Sequence, residues 1–517
     1  MTDINTLDLK WTSRRAAGLL LALSLGIAVP AAAQSPSTPP AAGGSPVEVV
    51  ALPSAGSPLV ALRLQFNAGS IYDPPGKEGL AALTGMMIGQ AGTQKRSYSD
   101  LLEALYPMAA AIGANTDREV TLISGLVHRD ELAAYTALLE EALLQPSFSQ
   151  ADFDRNRQQL TSAIANTLRS NDEMLGLELL QDRIFQAQPY GHSPVGTVEG
   201  LKSLTLDDVK RFYRERYTQG GLMLGVAGGY PADYVARLQQ DLSALPRGEG
   251  GRLTLPPAPR IEGRNFTLVD KETGSVGIHF GFPLPITRAD ADYFPLMVAN
   301  SALGEHRSFN GRLMQQLRGL RGLNYGDYSY IEYWDAPPFT NQPTPNVPRR
   351  QQYFSVWIRP VVPADGQFAL RAALYELQRL RDKGLTPEEF ELTRSFLTNY
   401  SKLWGQALPD RLGFAMDSKF YGTPYYIGEI DSRLKKLTLE EVNAAIRKYL
   451  STDNYDAVFV TANAQQLKDT LQRDGPSSKT YNSQVAADVL AADKTIQALK
   501  VQPTRIDVLP VAQAFQK

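Results

Sequence analysis

LKSLTLDDVKRFYRERY at residues 201–217 and LKKLTLEEVNAAIRKYL at residues 434–450 share one opening: Leu-Lys, then Leu-Thr-Leu, then two acids. In each the threonine, Thr205 or Thr438, is placed to cap a helix whose first turn is acidic and whose later residues follow an apolar helical period. Upstream of each lies a Tyr-Gly pair, Tyr190-Gly191 and Tyr421-Gly422. Further upstream, QADFDRNRQQL (150–160) parallels PEEFELTRSFL (387–397). Three matches at nearly constant offset read as two tandem copies of one unit of roughly 200 residues.

Each copy mixes strand and helix patterns. VEVVALPSAGSPLVALRLQFNAGS (47–70) gives two strands about a Pro/Gly turn, and Val60, Leu62, Leu64 and Phe66 alternate with Ala61, Arg63 and Gln65 as in a half-buried strand. Helical patterns follow at 79–90, 98–112, 130–144 and 150–169, with the strand-like REVTLISGLV between them. The order is hairpin-like rather than strictly alternating, so the fold class is α+β: two homologous domains forming a clam with an internal cleft. The copies are expected at 47–245 and 265–470, joined by the linker-like PRGEGGRLTLPPAPRIEGR (246–264), with residues 471–517 as an extension placed to wrap one of them.

The first 33 residues carry Lys10, Arg14 and Arg15 before the apolar run AAGLLLALSLGIAV, then small residues at Ala31 and Ala33, the pattern of a cleavable signal peptide. Residues 34–46, QSPSTPPAAGGSP, have the composition of a flexible leader. With no cysteine in 517 residues, the chain is expected to be exported to the periplasm and stable without disulfides. The formal charge is -2, and removal of the signal peptide, net +1, leaves -3. That balance offers nothing to nucleic acid or to an anionic membrane surface, and no membrane association is expected after cleavage.

Only four histidines occur, His128, His192, His279 and His306, and no two have ligand spacing, so this chain is expected to bind no metal of its own. His279 lies on the strand face opposite Val276, Ile278 and Phe280, where exposure is expected. No G-x-S-x-G, phosphate loop or dinucleotide fingerprint is present.

GLAALTGMMIGQAGT (79–93) has the frame of a metal-binding helix without its ligands. With GANTDREVTLISGLV (113–127), PYGHSPVGTVEGLKSLTLDDVKRFYRERY (189–217) and LMLGVAGGY (222–230), it resembles the inverzincin zinc peptidases, the group of pitrilysin, insulin-degrading enzyme and the mitochondrial processing peptidase. The likeness covers most of residues 47–470. On that frame the two zinc histidines fall at Ala82 and Met86 and the general-base glutamate at Gly85. The third ligand, about 75 residues on in the family pattern, falls near Ala163.

RLMQQLRGLRGLNYGDYSY (312–330) resembles the family's Arg/Tyr element, with Arg318 closing a helix and Tyr325 opening a strand. The resemblance implies that this pair donates to the substrate carbonyl as its oxygen gains charge, work suited to a guanidinium and a phenol. Arg321 competes with Arg318 for that role. By the same resemblance Ala114, Asn115 and Thr116 lie at a sheet edge that takes a peptide as an added strand, although they equally suit turn and cap chemistry.

Some family members divide the zinc motif and the Arg/Tyr element between two chains. The resemblance thus implies a non-zinc subunit whose partner is a zinc-bearing homologue, with zinc held by that partner and peptide as substrate. The competing expectations are a scaffold or peptide-holding subunit of the same fold and, more remotely, a peptidase with a relocated site. The insertion YWDAPPFTNQPTPNVPRRQQ (333–352) reads as a long loop that shapes either the chamber mouth or a partner contact.

Overall fold

The computed structural model describes residues 47–248, 250–334 and 340–517. The signal peptide and leader expected over residues 1–46 lie outside the described residues.

Among the described residues eleven strands form two sheets: β1 Glu48–Pro53, β2 Leu59–Phe66, β3 Gly113–Thr116, β4 Thr121–His128, β5 Leu222–Gly228, β6 Arg264–Asp270, β7 Val276–Leu284, β8 Asp327–Tyr330, β9 Gln352–Val361, β10 Tyr455–Thr461 and β11 Arg505–Pro510. The first sheet runs β1-β5-β2-β4-β3 and the second β11-β6-β10-β7-β9-β8. With β11 set aside, the orders agree strand for strand, and so do the directions. The outer pair is parallel in each (β1–β5, β6–β10), and every other neighbour is antiparallel. The duplication read from the capped helices is therefore a duplication of topology.

The repeated caps form as their residue types dictate. Thr205 accepts from the Asp208 amide and Thr438 from the Glu441 amide, and both acids return a hydrogen bond to complete a capping box. Each sheet buries one face under helices of its own half, giving two large cores.

The opposite faces are covered by exchange. The Asp172–Ile184 helix of the first half packs on β7 and β10, and the Leu408–Tyr421 helix of the second half packs on β1, β2 and β5. Small residues admit the close approach. A Cβ on Gly176 would lie 2.4 Å from His279 Nδ1, and one on Gly225 of β5 would lie 2.4 Å from Met416 Sδ.

This exchange overturns two expectations. His279 is buried, 2% exposed, beneath Gly176 and stacked on Trp357 with ring centroids 5.8 Å apart. The Ala61/Gln65 face of β2 is likewise buried, with Ala61 packed beside Leu412, Ala415 and Met416. An alternating strand is half-exposed only when nothing covers its polar face, and here a helix from the other copy does.

The C-terminal segment wraps both halves. Its β11 extends the second sheet in parallel with β6. The residues after it return to the first half, where the Phe515 carbonyl accepts from the Val198 amide at 2.9 Å and the Ala514 carbonyl from Arg169 Nη2 at 2.7 Å. Among the described residues no helix is long and apolar enough to cross a membrane.

Candidate functional site

The helix in the zinc-motif frame is real, spanning Leu80–Gly89 and almost wholly buried. Its first turn is capped from a distance: Asp73 accepts from the Gly79 and Ala81 amides at 2.8 and 2.7 Å. Burial raises the Asp73 carboxyl above its ordinary range, against the hydrogen bond from His192. The other end is held by Asn156, whose Nδ2 donates to the Met86 and Gln90 carbonyls at 3.3 and 3.2 Å.

Nothing on this helix fits a zinc ion. Ala82 and Gly85 offer no ligand atom, and Met86 offers only a thioether. The position of the missing carboxylate is also filled from outside, because a Cβ on Gly85 would meet Thr116 Oγ1 at 2.9 Å and Thr121 Cγ2 at 3.2 Å. One turn on, a Cβ on Gly89 would meet the Ala114 Cβ at 2.7 Å. Ala163 ends a helix that continues as the π-turn Ile164–Leu168. Among the described residues no three His, Cys, Asp or Glu side chains are grouped to hold a metal ion.

That packing orients the candidate edge. Among the described residues strand β3 is the last of its sheet and pairs only with β4, Ala114 opposite Ile123, Asn115 opposite Leu122 and Thr116 opposite Thr121. Ala114 and Thr116 face the glycines of the helix, and Thr116 shares a 2.9 Å hydrogen bond with Thr121, so both side chains serve packing. Asn115 is the exposed one of the three.

In the second half, Met314–Gly319 is a π-turn, after which the Gly322 amide donates to the Arg318 carbonyl at 2.9 Å and the Leu323 amide to the Leu317 carbonyl at 3.1 Å. The chain thereby folds back so that Tyr325 stands just before β8, 78% exposed. Arg318 makes no ion pair among the described residues; its guanidinium lies 4.9 Å over the Phe309 ring centroid. Arg321 has the opposite environment. It is buried, and its Nε donates to Asp493 at 2.8 Å while Nη1 donates to the Gln316 carbonyl at 2.7 Å. Of the two arginines only Arg318 is presented to solvent.

Two residues near this element, Asn324 and Asp327, were not among the expected site residues. Asn324 clamps the turn that carries Tyr325, donating from Nδ2 to Asp327 Oδ1 at 2.7 Å and to the Arg359 carbonyl at 2.8 Å while accepting from the Gly326 amide at 3.1 Å. Asp327 is fully buried with Oδ2 unpartnered, and burial pushes its carboxyl to about 8 against Asn324 and the charges of Arg359 and Arg318. The turn signal was available in Asn324-Tyr325-Gly326-Asp327; Phe309 carried none.

The two candidate sets thus lie in different halves, the edge strand on β3 and the Arg/Tyr element beside β8. These strands are counterparts at the outer edges of their sheets. Fold and site define a duplicated α+β chain whose first copy buries a helix without metal ligands and whose second copy carries a half-buried Arg318 beside an exposed Tyr325. Residues 49–198 match the insulinase family (peptidase family M16) and residues 203–397 match the peptidase M16 inactive domain, and the chain belongs to that family.

A non-peptidase homolog, YmxG, of Helicobacter pylori is 22% identical over 409 residues, which cover 78% of this chain and 89% of that protein. The crystal structure of a peptidase M16 inactive domain from Pseudomonas fluorescens superposes with a TM-score of 0.71 at 21% identity, covering 81% of this chain and 96% of that one. The periplasmic protease PqqL from Escherichia coli has a TM-score of 0.65 at 17% identity, and the match covers 88% of this chain but 49% of PqqL.

Proposed function

We propose that this chain is the non-zinc subunit of a two-chain periplasmic metallopeptidase, placing Arg318 and Tyr325 at the active site of a zinc-bearing homologue. The carrying observation is the contrast between two arginines three positions apart. Arg321 is consumed by a buried ion pair with Asp493, whereas Arg318, half-buried against Phe309 and Met314, makes no ion pair among the described residues and Tyr325 is exposed.

At a scissile carbonyl these two groups donate hydrogen bonds that strengthen as the oxygen becomes an oxyanion, and neither exchanges a proton. The metal and the attacking water belong to the partner. The exposed edge at Ala114, Asn115 and Thr116 takes the extended peptide through backbone hydrogen bonds, which tolerate varied sequence. The match to half of PqqL supports a chain that supplies half of a chamber, and the signal-like N-terminus together with the likeness to a periplasmic protease supports the periplasm.

The test is a peptidase assay, with bound zinc quantified, on the chain alone and mixed with a zinc-bearing homologue from the same organism. Zinc and cleavage confined to the mixture support the reading, provided Arg318→Ala and Tyr325→Phe each reduce turnover. The name of the Helicobacter pylori relative favours a second reading, a scaffold or peptide-holding subunit. Full turnover in an assembled Arg318→Ala/Tyr325→Phe complex selects it.

A further inference from the structure

The connection from β8 to β9 begins just after the Arg/Tyr turn, yet its returning limb is anchored in the first half. Arg349 is fully buried; its Nε and Nη2 donate to the two carboxylate oxygens of Asp117 at 2.8 and 2.6 Å, and its Nη1 donates to Gln181 Oε1 at 2.6 Å. Arg350 forms a second forked pair, with Nε and Nη2 donating to Glu119 Oε2 at 3.0 and 2.8 Å. The Tyr190 hydroxyl donates to the same carboxylate. Burial alone would raise the Asp117 carboxyl, but the Arg349 charge and hydrogen bond hold it below its ordinary range.

Both ends of this arrangement lead to the candidate site. Asp117 directly follows Thr116, the last residue of β3, and Glu119 lies in the turn from β3 to β4. Arg349 and Arg350 stand one residue before β9, which pairs with the whole of β8. At the far end of β9 the Arg359 amide donates to the Gly326 carbonyl at 3.3 Å and the Arg359 carbonyl accepts from Asn324, which clamps the Tyr325 turn. An unbroken path of ladder and charged anchors therefore joins the β3 edge to the Arg/Tyr element. A buried ion pair contributes little net stability against apolar packing, so the Arg349–Asp117 pair, followed by the half-exposed Arg350 on buried Glu119, is suited to specifying position.

We propose that residues 349–361 act as a strut that sets β3 at a fixed position relative to Arg318 and Tyr325, with Asp117 and Arg349 as its positioning residues. The consequence for catalysis rests on the reading above, in which β3 pairs with the peptide and the Arg/Tyr element receives its carbonyl.

Hydrogen–deuterium exchange on the purified chain tests the strut without reference to catalysis. Arg349→Met is expected to speed exchange about tenfold or more at both 113–118 and 324–327, leaving β5 and β10 unchanged, and the Asp117→Asn/Arg349→Met double variant, which leaves no buried charge unpaired, to keep the faster exchange at both sites; recovery of protection in the double variant overturns the proposal. If Arg349→Met does not fold, Arg350→Gln, whose side chain is partly exposed, takes its place with the same expected pattern. Exchange that rises only beside residue 349, or uniformly across the chain, overturns the proposal. In the assembled enzyme the variant is expected to raise KM more than it lowers kcat. An assembly that stays inert while the two-site exchange pattern holds supports the strut and instead removes the Arg/Tyr reading.

Discussion

Gly85 lies against Thr116 so closely that a Cβ on the glycine would sit 2.9 Å from the threonine Oγ1. A carboxylate at Gly85, where the resemblance would put one, would therefore collide with the neighbouring strand, and restoring the motif letters is not expected to restore a site. An Ala82→His/Gly85→Glu/Met86→His variant is expected to lose about 1–3 kcal/mol or more from overpacking. It should retain no equimolar zinc after dialysis. Thermal unfolding and metal analysis check this, and equimolar zinc with an unchanged Tm would refute it.

Arg318 and Arg321 are separable by two measurements. Arg321→Ala leaves Asp493 buried without its partner and is expected to cost about 3–5 kcal/mol in denaturant unfolding. Arg318→Ala should change stability by no more than about 0.5 kcal/mol while lowering turnover of the assembled enzyme about a hundredfold or more. Reversed phenotypes would assign the oxyanion role to Arg321.

How far the sequence disclosed the molecule depends on the range of the interactions concerned. The duplication was legible because a Thr-x-x-acid cap is local, and Thr205 and Thr438 form it as their spacing implies. Burial of His279 was not legible, because the helix that covers it comes from the other copy and the strand pattern holds no trace of it. The motif order favours Arg318 over Arg321, but the burial of Arg321 against Asp493, in the C-terminal segment, was not legible. The anchors Arg349 and Arg350 lie in a Pro-rich stretch without periodicity, where nothing signals a buried partner in the first half.

Asp327 gives a pH signature of known sign. In the folded chain its carboxyl holds a proton up to about 8, whereas in the unfolded chain it releases it near the ordinary value of about 4. Between these values the folded state binds the extra proton, so this group's contribution to stability falls as pH rises through that window and is flat above it. Asp327→Asn is expected to match the parent near pH 4 and to exceed it in Tm at pH 8–9. Equal Tm values at both ends would remove Asp327 from the balance.

Gly176 is the contact point of the exchanged helix with His279. Alanine is the better helix former by about 0.8–1 kcal/mol, yet a Cβ here would lie 2.4 Å from the imidazole Nδ1. Gly176→Ala is expected to lose about 1–3 kcal/mol net, and His279→Ala in the same chain to recover part of it. A double-mutant cycle measures the coupling. A stabilising Gly176→Ala would show that the helix sits farther from the sheet.

The reciprocal helices also fix an order of events. The first sheet receives its second cover only when residues 408–421 have been made, and residues 514–516 complete the contact on its helices. These are contacts of large sequence separation, the kind that slow folding because chain entropy is lost before they form. The first half cannot finish its core before the second has been made, whereas the cover of the second half is made before its sheet, so the first copy matures only together with the second.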